Sequence, residues 1–355
     1  MIRKSYLYVM FLMSILGCGC AVHQFPEPKE PEQEIPKRMT IRLHFEPDFW
    51  LWEHLYDPKI GTPEELYPDS ETDSEHPGTS GVYSNVLESG EMAISLKVYN
   101  AGNPDSRVAE LALKRNVAGG YDCEMDVELL GGNYEVAVWG HLLEHSDFAP
   151  FYEPTDFSSV SIIDENYYGN TDYRDAFRGR TSFTLPVEND KEAEYHCDVE
   201  MRRPMGKFEF VTTDLSEFLD RETERRALST RATTDDYRVV ISYPYYYPNA
   251  YNVITDDIAS GSGYSFETKM SVTGVSEASM GFDYVFIKNI SEGAVQAQVA
   301  VLDLDGNRVA NSQVIMIPIR RDYHTVLRGA FLSMDANGGV GVNPDYDGDH
   351  NVTIP

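Results

Sequence analysis

MTIRLHF at residues 39–45 and MAISLKV at residues 92–98 place apolar and polar side chains in alternation. This period of two is typical of a β-strand that turns one face to a core and the other to solvent. GNYEVAVWG at residues 132–140 leaves a glycine turn and begins with the same alternation. The first half of the folded chain is therefore predicted to consist of β-strands, with a long polar loop at residues 63–81.

The second half continues the pattern of short strands. Asp305-Gly306 is a hairpin turn signal between two apolar runs. Strands are predicted at residues 208–211, 237–243, 282–288, 294–302, 314–317 and 325–327.

One helix is predicted near the start of this half. Asp214 is placed to cap it, with Glu217 reaching back and an apolar stripe of Leu215, Phe218 and Leu219 running to about residue 226. Many short strands with a single clear helix favour an all-β fold of two β-sandwich domains. The break is placed near residues 203–206, so the predicted domains are 39–203 and 204–355.

The N-terminus predicts export and lipidation. Arg3 and Lys4 precede an apolar run at residues 5–16 that is too short to span a bilayer as a helix. Ile-Leu-Gly-Cys18 follows and resembles a bacterial lipobox, which makes Cys18 the predicted lipid attachment site. Cys20 is the alternative, although its −3 position is a glycine; an ordinary secretory signal with incidental cysteines is the other interpretation.

The signal peptide is thus placed at residues 1–17, and residues 18–38 are predicted to be an extended linker. Proline alternates with glutamate there and no apolar period is present, which favours polyproline II over a packed core. The chain carries 29 basic and 58 acidic residues, a formal charge of −29. Such an excess argues against nucleic-acid binding, which depends on Lys and Arg neutralising phosphates.

Two cysteines, Cys123 and Cys197, lie beyond the signal region. An exported protein meets an oxidising compartment, so a disulfide between them is one interpretation and two free cysteines are the other. Spacing alone does not decide between them.

Several segments have amino-acid sequences that are more specific than an alternating strand pattern requires. GKFEFVTTDL at residues 206–215, YYPNAYN at 246–252, GFDYVF at 281–286 and IPIRRDYHT at 317–325 resemble FimB-like fimbrium anchor lipoproteins of Bacteroidales-type fimbriae, as do GGVGVNPDYDGD at 338–349 and the strand at 132–140. The resemblance implies two transthyretin-like β-sandwich domains, lipidation in the outer membrane and a partnership with fimbrial pilin subunits. It supplies no catalytic residues. Assembly in this class involves proteolysis after an arginine, and Arg38 lies at a plausible boundary.

Two motifs carry catalytic or metal-binding hypotheses. HLLEH at residues 141–145 matches the inverted zinc-protease pattern, but that mechanism needs a helix and these residues follow a strand, so a connecting turn is predicted. Asp345, Asp347 and Asp349 alternate as in a calcium loop, but the glycine comes too early for an EF-hand, and an acid-rich turn is the preferred interpretation. No metal, no cofactor and no enzymatic activity are predicted.

Aromatic residues offer a competing function. Trp50, Trp52 and 23 tyrosines could line a surface that binds glycans, although sandwich cores also use aromatics. Residues 243–247 cannot all point inward along a strand, so some of those rings are predicted to be exposed. The sequence therefore favours a fimbrial anchor or accessory subunit, with a surface glycan-binding lipoprotein as the alternative and a metal-dependent hydrolase as the third interpretation.

Overall fold

The computed structural model describes residues 34–57, 61–66, 81–144, 150–166, 168–188, 193–227, 230–290 and 292–334. These residues are almost entirely β-structure, which confirms the predicted all-β fold class. None of the helices in the described ranges is long and apolar enough to cross a membrane.

The strands before residue 203 are β1 (Lys37–Phe45), β2 (Asp48–Tyr56), β3 (Pro63–Glu65), β4 (Gly81–Ser84), β5 (Glu91–Asn100), β6 (Arg107–Asn116), β7 (Cys123–Leu129), β8 (Gly132–Leu143), β9 (Tyr152–Glu153), β10 (Val160–Ile162), β11 (Ala176–Leu185) and β12 (Tyr195–Met201). The elements after it are β13 (Met205–Thr212), α1 (Leu215–Arg225), β14 (Tyr237–Asn252), β15 (Asp257–Thr268), β16 (Ser271–Val272), β17 (Ala278–Phe286), β18 (Gly293–Asp303), β19 (Arg308–Asn311), β20 (Ile315–Ile319) and β21 (Tyr323–Gly329).

The N-terminal sandwich is built from two small sheets. A three-stranded sheet has the order β12-β1-β7, and a four-stranded sheet has the order β11-β8-β5-β6. In β1 the apolar residues Met39, Ile41, Leu43 and Phe45 are all buried, and the residues between them are partly exposed, as the alternation predicts. Their side chains share one core with the buried row of β5.

The C-terminal sandwich is larger, with two seven-stranded sheets. One follows the path β16-β17-β13-β21-β2-β3, with β4 paired to β2. The other follows β19-β18-β14-β10-β9, with β15 paired to β14 and β20 paired to β18. Their core extends onto the outer face of the four-stranded sheet, where Trp139 lies 5.6 Å from Tyr152 and 6.1 Å from Phe286 between ring centroids.

The two sandwiches are not consecutive segments of the chain, which corrects the predicted division into 39–203 and 204–355. β2 pairs in parallel with β21, from Trp50 opposite Tyr323 to Tyr56 opposite Gly329. β10 pairs with β14 as well. The C-terminal sheets therefore include strands from the first half, because alternation identifies a strand but does not specify its partner.

Local predictions fared better. The helix is present as α1, and the Asp305-Gly306 turn joins β18 to β19, with Gly306 at φ +85°. Asp214 is the N-cap residue as predicted, but its side chain makes no capping hydrogen bond to the helix. Its Oδ1 instead accepts hydrogen bonds from Thr212 Oγ1 (2.5 Å) and from the backbone N–H of Leu332 (3.2 Å), so the carboxylate ties the helix start to the segment after β21.

Three smaller boundaries also differ from the prediction. The predicted loop at residues 63–81 includes the short strand β3 and begins β4. The last two residues of the predicted linker, Lys37 and Arg38, belong to β1, where they pair with Leu129 and Glu128 of β7. The first three residues of HLLEH complete β8 rather than form a turn, because they pair with β5.

Candidate functional site

The N-terminal sandwich is closed along one side and open along the other. On the closed side, Arg178 of β11 and Arg202 beyond β12 exchange backbone hydrogen bonds of 2.8 and 2.9 Å. On the open side, β6 pairs only with β5 and β7 only with β1, within the part of the chain that the structure describes. We call β6 and β7 together the open edge. Backbone N–H and C=O groups along such an edge are free to pair with another strand.

The open edge also presents apolar side chains. Ala109, Leu111 and Leu113 of β6 lie against the core but are only half-buried, whereas Met125 and Val127 of β7 are buried. The uncovered row therefore belongs to β6. A partner strand paired with β6 would bury this apolar row further. Every second side chain of the partner strand would then pack between Ala109, Leu111 and Leu113.

The turn that joins the two edge strands is held by one arginine. Arg115, near the end of β6, donates to the carbonyl oxygens of Gly120 (3.2 Å) and Tyr121 (3.0 Å), and also to that of Asp122. This fixes the turn at one end of the open edge. Among the described residues, no side chain links β6 to β7 in this way at the other end of the open edge.

The outer face of the three-stranded sheet is charged. Arg42 of β1 lies 3.3 Å from Glu124 of β7. His44 Nε2 lies 3.1 Å from Asp198 Oδ1, and hydrogen bonds with Asp198 and then Asp122 raise the pKa of His44 above its ordinary value. These pairs are solvent-exposed and keep this face polar, which leaves the β6 side as the apolar one.

Arg38 lies within β1, opposite Glu128, and its guanidinium donates to Asp126. It lines an open hollow of about 770 Å³ on the outer face, together with Tyr195 and His196 of β12. A protease that cut after Arg38 would have to act on a paired strand.

Cys123 and Cys197 are free thiols, so the disulfide interpretation is wrong. Cys123 pairs with Leu43 and Cys197 with Ile41, on opposite sides of β1. Two strand spacings of about 4.8 Å separate their backbones by roughly 10 Å, beyond the 7 Å limit for a bridge. Burial raises the pKa of Cys197 to about 11, so its thiol stays protonated and unreactive.

The predicted lipid attachment site Cys18, its alternative Cys20, and Asp345, Asp347 and Asp349 lie outside the described residues. No group of three or more metal-ligating side chains occurs among the residues that are described. His141 of the HLLEH segment is buried at the end of β8, and burial lowers its pKa to about 4. A strand places neighbouring side chains on opposite faces, so this segment lacks the helical geometry of a zinc protease.

The aromatic residues divide between core and surface. Trp52 is buried, with Nε1 donating to Glu65 at 2.8 Å, and Trp50 is half-buried. Tyr243 and Tyr247 are buried, whereas Tyr245 and Tyr246 are exposed. The prediction that part of 243–247 faces solvent is therefore confirmed.

Sequence reasoning did not single out β6, the main part of the open edge. The signal was present, because Ala109, Leu111 and Leu113 alternate with Glu110 and Lys114. It identifies a strand but gives no indication that the strand lies at the edge of its sheet.

One family model covers most of the chain. The match spans residues 68–355, or 288 of 355 residues, and the family is described as "Family of unknown function (DUF6562)". The chain belongs to this family. No curated protein matches this DUF6562 member.

Solved structures give fold-level similarity to this DUF6562 chain. They include a candidate adhesin of Bacteroides thetaiotaomicron (11% identity, 80% of this chain and 81% of that chain, TM-score 0.41). The fimbrial anchor protein Mfa2 from Porphyromonas gingivalis has 10% identity, 78% and 82% coverage, and a TM-score of 0.39. The tip fimbrial protein Mfa3 from the same organism has 11% identity, 77% and 81% coverage, and a TM-score of 0.35.

Proposed function

We propose that this DUF6562 chain is a fimbrial anchor or accessory subunit, a lipoprotein of the outer membrane that holds a pilin polymer at the cell surface. The observation that carries the proposal is the open edge, where β6 has no strand on its outer side among the described residues and its apolar row is half-buried. Strand addition needs both features, since main-chain hydrogen bonds supply affinity and the side-chain row sets the register.

The length of β6 suits this role. Its ten residues, Arg107–Asn116, offer a template longer than the usual strand of five or six residues. Monomeric proteins protect such edges with charges, prolines or a covering loop. Here Glu110 and Lys114 lie on the exposed face of β6, so between them the inward apolar row of Ala109, Leu111 and Leu113 stays open to a partner strand.

To retain a fibre at the cell surface, the protein must itself be anchored in the membrane. The lipobox-like segment predicts an acylated Cys18, and several acyl chains on one residue anchor a protein stably. From Cys18 to the start of β1 at Lys37, an extended proline-rich segment would reach about 50–60 Å at roughly 3.1 Å per residue. That reach would lift the open edge above the lipid surface, where a fibre can meet it.

The proposed role is structural rather than enzymatic. His141, the one motif histidine that the structure describes, is buried in a strand and neutral at physiological pH. It suits packing better than metal ligation or proton transfer.

Deletion of the gene tests the proposal. We expect pilin to be made but poorly retained, with fibres shed into the medium or altered in length when seen by electron microscopy. The soluble chain without residues 1–33 should recover pilin in a pull-down, since β1 begins only at Lys37. Fibres of normal length on the deleted cells, together with no pilin on the bait, would rule out the anchor role.

A further inference from the structure

Lys207 of β13 is a buried lysine. Its side chain is 6% exposed, and it lies directly opposite Tyr284 of β17 and His324 of β21. Lysine is almost never buried to this extent without a partner, because its ammonium group loses its hydration. The groups around its Nζ therefore determine what this side chain can do.

The partner of Lys207 is a carboxylate held in a fixed position. Lys207 Nζ lies 2.8 Å from Oδ1 of Asp172, which begins the short 3-10 turn Asp172–Arg174 before β11. The hydroxyl of Tyr284 donates to the same oxygen at 2.5 Å. Since a C=O bond is about 1.2 Å long, the lysine nitrogen is at most about 4 Å from the carboxyl carbon. An amine and a carboxyl group held so close approach the geometry in which an intramolecular reaction is fast.

Aromatic rings exclude water from the amine. Lys207 Nζ lies 4.0 Å from the centroid of the Phe282 ring and 5.7 Å from that of the Tyr284 ring. Charges that develop in such dry surroundings are screened less than in water. The side chain of Asp172 is 31% exposed, so a small product released at its carboxyl group has a path to solvent.

A second carboxylate can take up a proton. Glu209 lies two residues after Lys207 in β13, so both side chains leave the strand on the same face. Burial acts to raise the pKa of Glu209, but His324, with Nε2 3.1 Å from Glu209 Oε2, and the charge of Lys207 outweigh burial and lower this pKa below its ordinary value. Glu209 is therefore ionised at neutral pH and can accept a proton from the lysine ammonium.

We propose that Lys207 and Asp172 react with each other to form an isopeptide bond, a covalent cross-link within the chain. Glu209 takes a proton from the ammonium group, and the neutral amine attacks the carboxyl carbon of Asp172. The Tyr284 hydroxyl stabilises the charge that develops on Oδ1. The bond from this carbon to Oδ2 then breaks, and Oδ2 leaves as water with two protons from the lysine nitrogen, one of them returned by Glu209. An ammonium and a carboxylate thus become an amide and one water, with no other reactant.

The folded protein favours this product. A buried ion pair has lost the hydration of both charges, whereas the amide that replaces it is neutral. The two residues are 35 positions apart, so folding is what brings them together. The cross-link would tie the segment before β11 to β13, on either side of the point where the chain crosses between the two sandwiches. It is separate from the open edge and would strengthen the protein whatever binds there.

Peptide mass spectrometry of the full-length protein tests the proposal. The protein is purified in detergent, unfolded and digested with trypsin, which cuts after a free lysine but not after a lysine in an isopeptide bond. We expect one branched peptide that contains both Lys207 and Asp172 and is lighter by one water than its two arms together. Peptides that end at Lys207 should be scarce.

Variants connect the branched peptide to the proposed chemistry. Lys207→Arg keeps the positive charge but has no primary amine, so the branched peptide should disappear. Glu209→Gln keeps a side chain of similar shape and removes the proton acceptor. It should slow formation of the branched peptide by about a hundredfold, which is the size of effect that a positioned base contributes. Circular dichroism confirms that both variants are folded.

The exposed pair of Lys288 and Asp257 is the matched control. Its atoms are 3.5 Å apart, but the two side chains are 57% and 48% exposed, so the amine and the carboxylate stay hydrated. This pair should give no branched peptide. The proposal is overturned if the folded wild type releases Lys207 and Asp172 only in separate peptides, or if the control pair is cross-linked to the same extent. Formation at the wild-type rate in Glu209→Gln would overturn the assigned proton transfer.

Discussion

Arg203 forms a buried ion pair with Asp175 at the point where the chain passes between the two sandwiches. Its Nε donates to both carboxylate oxygens at 2.8 and 2.9 Å, and Nη2 donates to Oδ2 at 2.8 Å. The remaining donors reach the carbonyl oxygens of Glu46, Pro47 and Asp48, where β1 leads into β2. One fully buried arginine thus holds three separate crossings of the chain together.

We expect Arg203→Met to destabilise the protein by about 3–5 kcal/mol, because it leaves Asp175 charged, buried and without its partner. Urea unfolding followed by circular dichroism measures this. The control is Arg202→Ala, which removes an exposed ion pair with Glu46 and should have a much smaller effect. Equal losses for the two variants would contradict the structural role of the buried pair.

His141 should make the stability depend on pH. Burial lowers its pKa from 6.5 to about 4 in the folded state. Below pH 6.5 the unfolded chain therefore takes up the proton first, and the free energy of unfolding falls as the pH drops towards 4. The full effect of one such histidine is about 3 kcal/mol. His54 acts in the same direction, with its pKa also lowered to about 4 by burial.

Asp322 works against these histidines. Burial raises its pKa to about 6, so the folded state takes up that proton first and gains stability between pH 6 and about 4. His141→Leu should therefore remove part of the net loss seen on acidification, when unfolding is measured at pH 7, 5.5 and 4.5. His196→Leu, at an exposed position of β12, is the control. An unchanged slope in the His141 variant would show that this ring does not titrate as described.

The sequence predicted strands well where one face is buried and the other is wet. MTIRLHF forms β1 with each apolar residue in the core, and the stripe of Leu215, Phe218 and Leu219 forms α1. The sequence could not predict that β2 would pair with β21 in a different sheet from β1. That choice depends on contacts between residues more than 250 positions apart, and local alternation does not encode them.

The candidate sites show the same limit. The exposed tyrosines were predictable, because consecutive strand positions cannot share one face. The open edge was not, since an edge strand and a central strand with one wet face have the same pattern. Arg203 and Asp175 gave no signal at all, as charged residues near turns are usually solvated and only the tertiary structure buries them.

Metal removal should change little. Among the described residues no cluster of metal ligands occurs, and Asp345, Asp347 and Asp349 are the remaining candidates. A ligand bound only to the folded state would raise the melting temperature, so EDTA should leave it almost unchanged if none is bound. A fall of many degrees that calcium restores would place a cation at these acids.

Lipidation should depend on Cys18. We expect Cys18→Ser to release the protein from the membrane or to leave its signal uncleaved, because the best lipobox then lacks a thiol. Labelling of growing cells with radioactive palmitate measures this, and Cys20→Ser is the matched control. Undiminished labelling of the Cys18 variant would move the attachment site to Cys20.

Pilin recovery should depend on the inward face of β6. Leu111→Glu puts a charge into the half-buried apolar row, where a partner strand would have to desolvate it, so recovery in the pull-down should fall on the order of tenfold or more. Ala112→Glu adds the same charge one residue away, on the exposed face of the same strand, and should leave recovery nearly unchanged. Circular dichroism and the melting temperature confirm that both variants are folded. Equal recovery by the two would show that pilin is held elsewhere, because only the inward position would enter an interface made by strand addition.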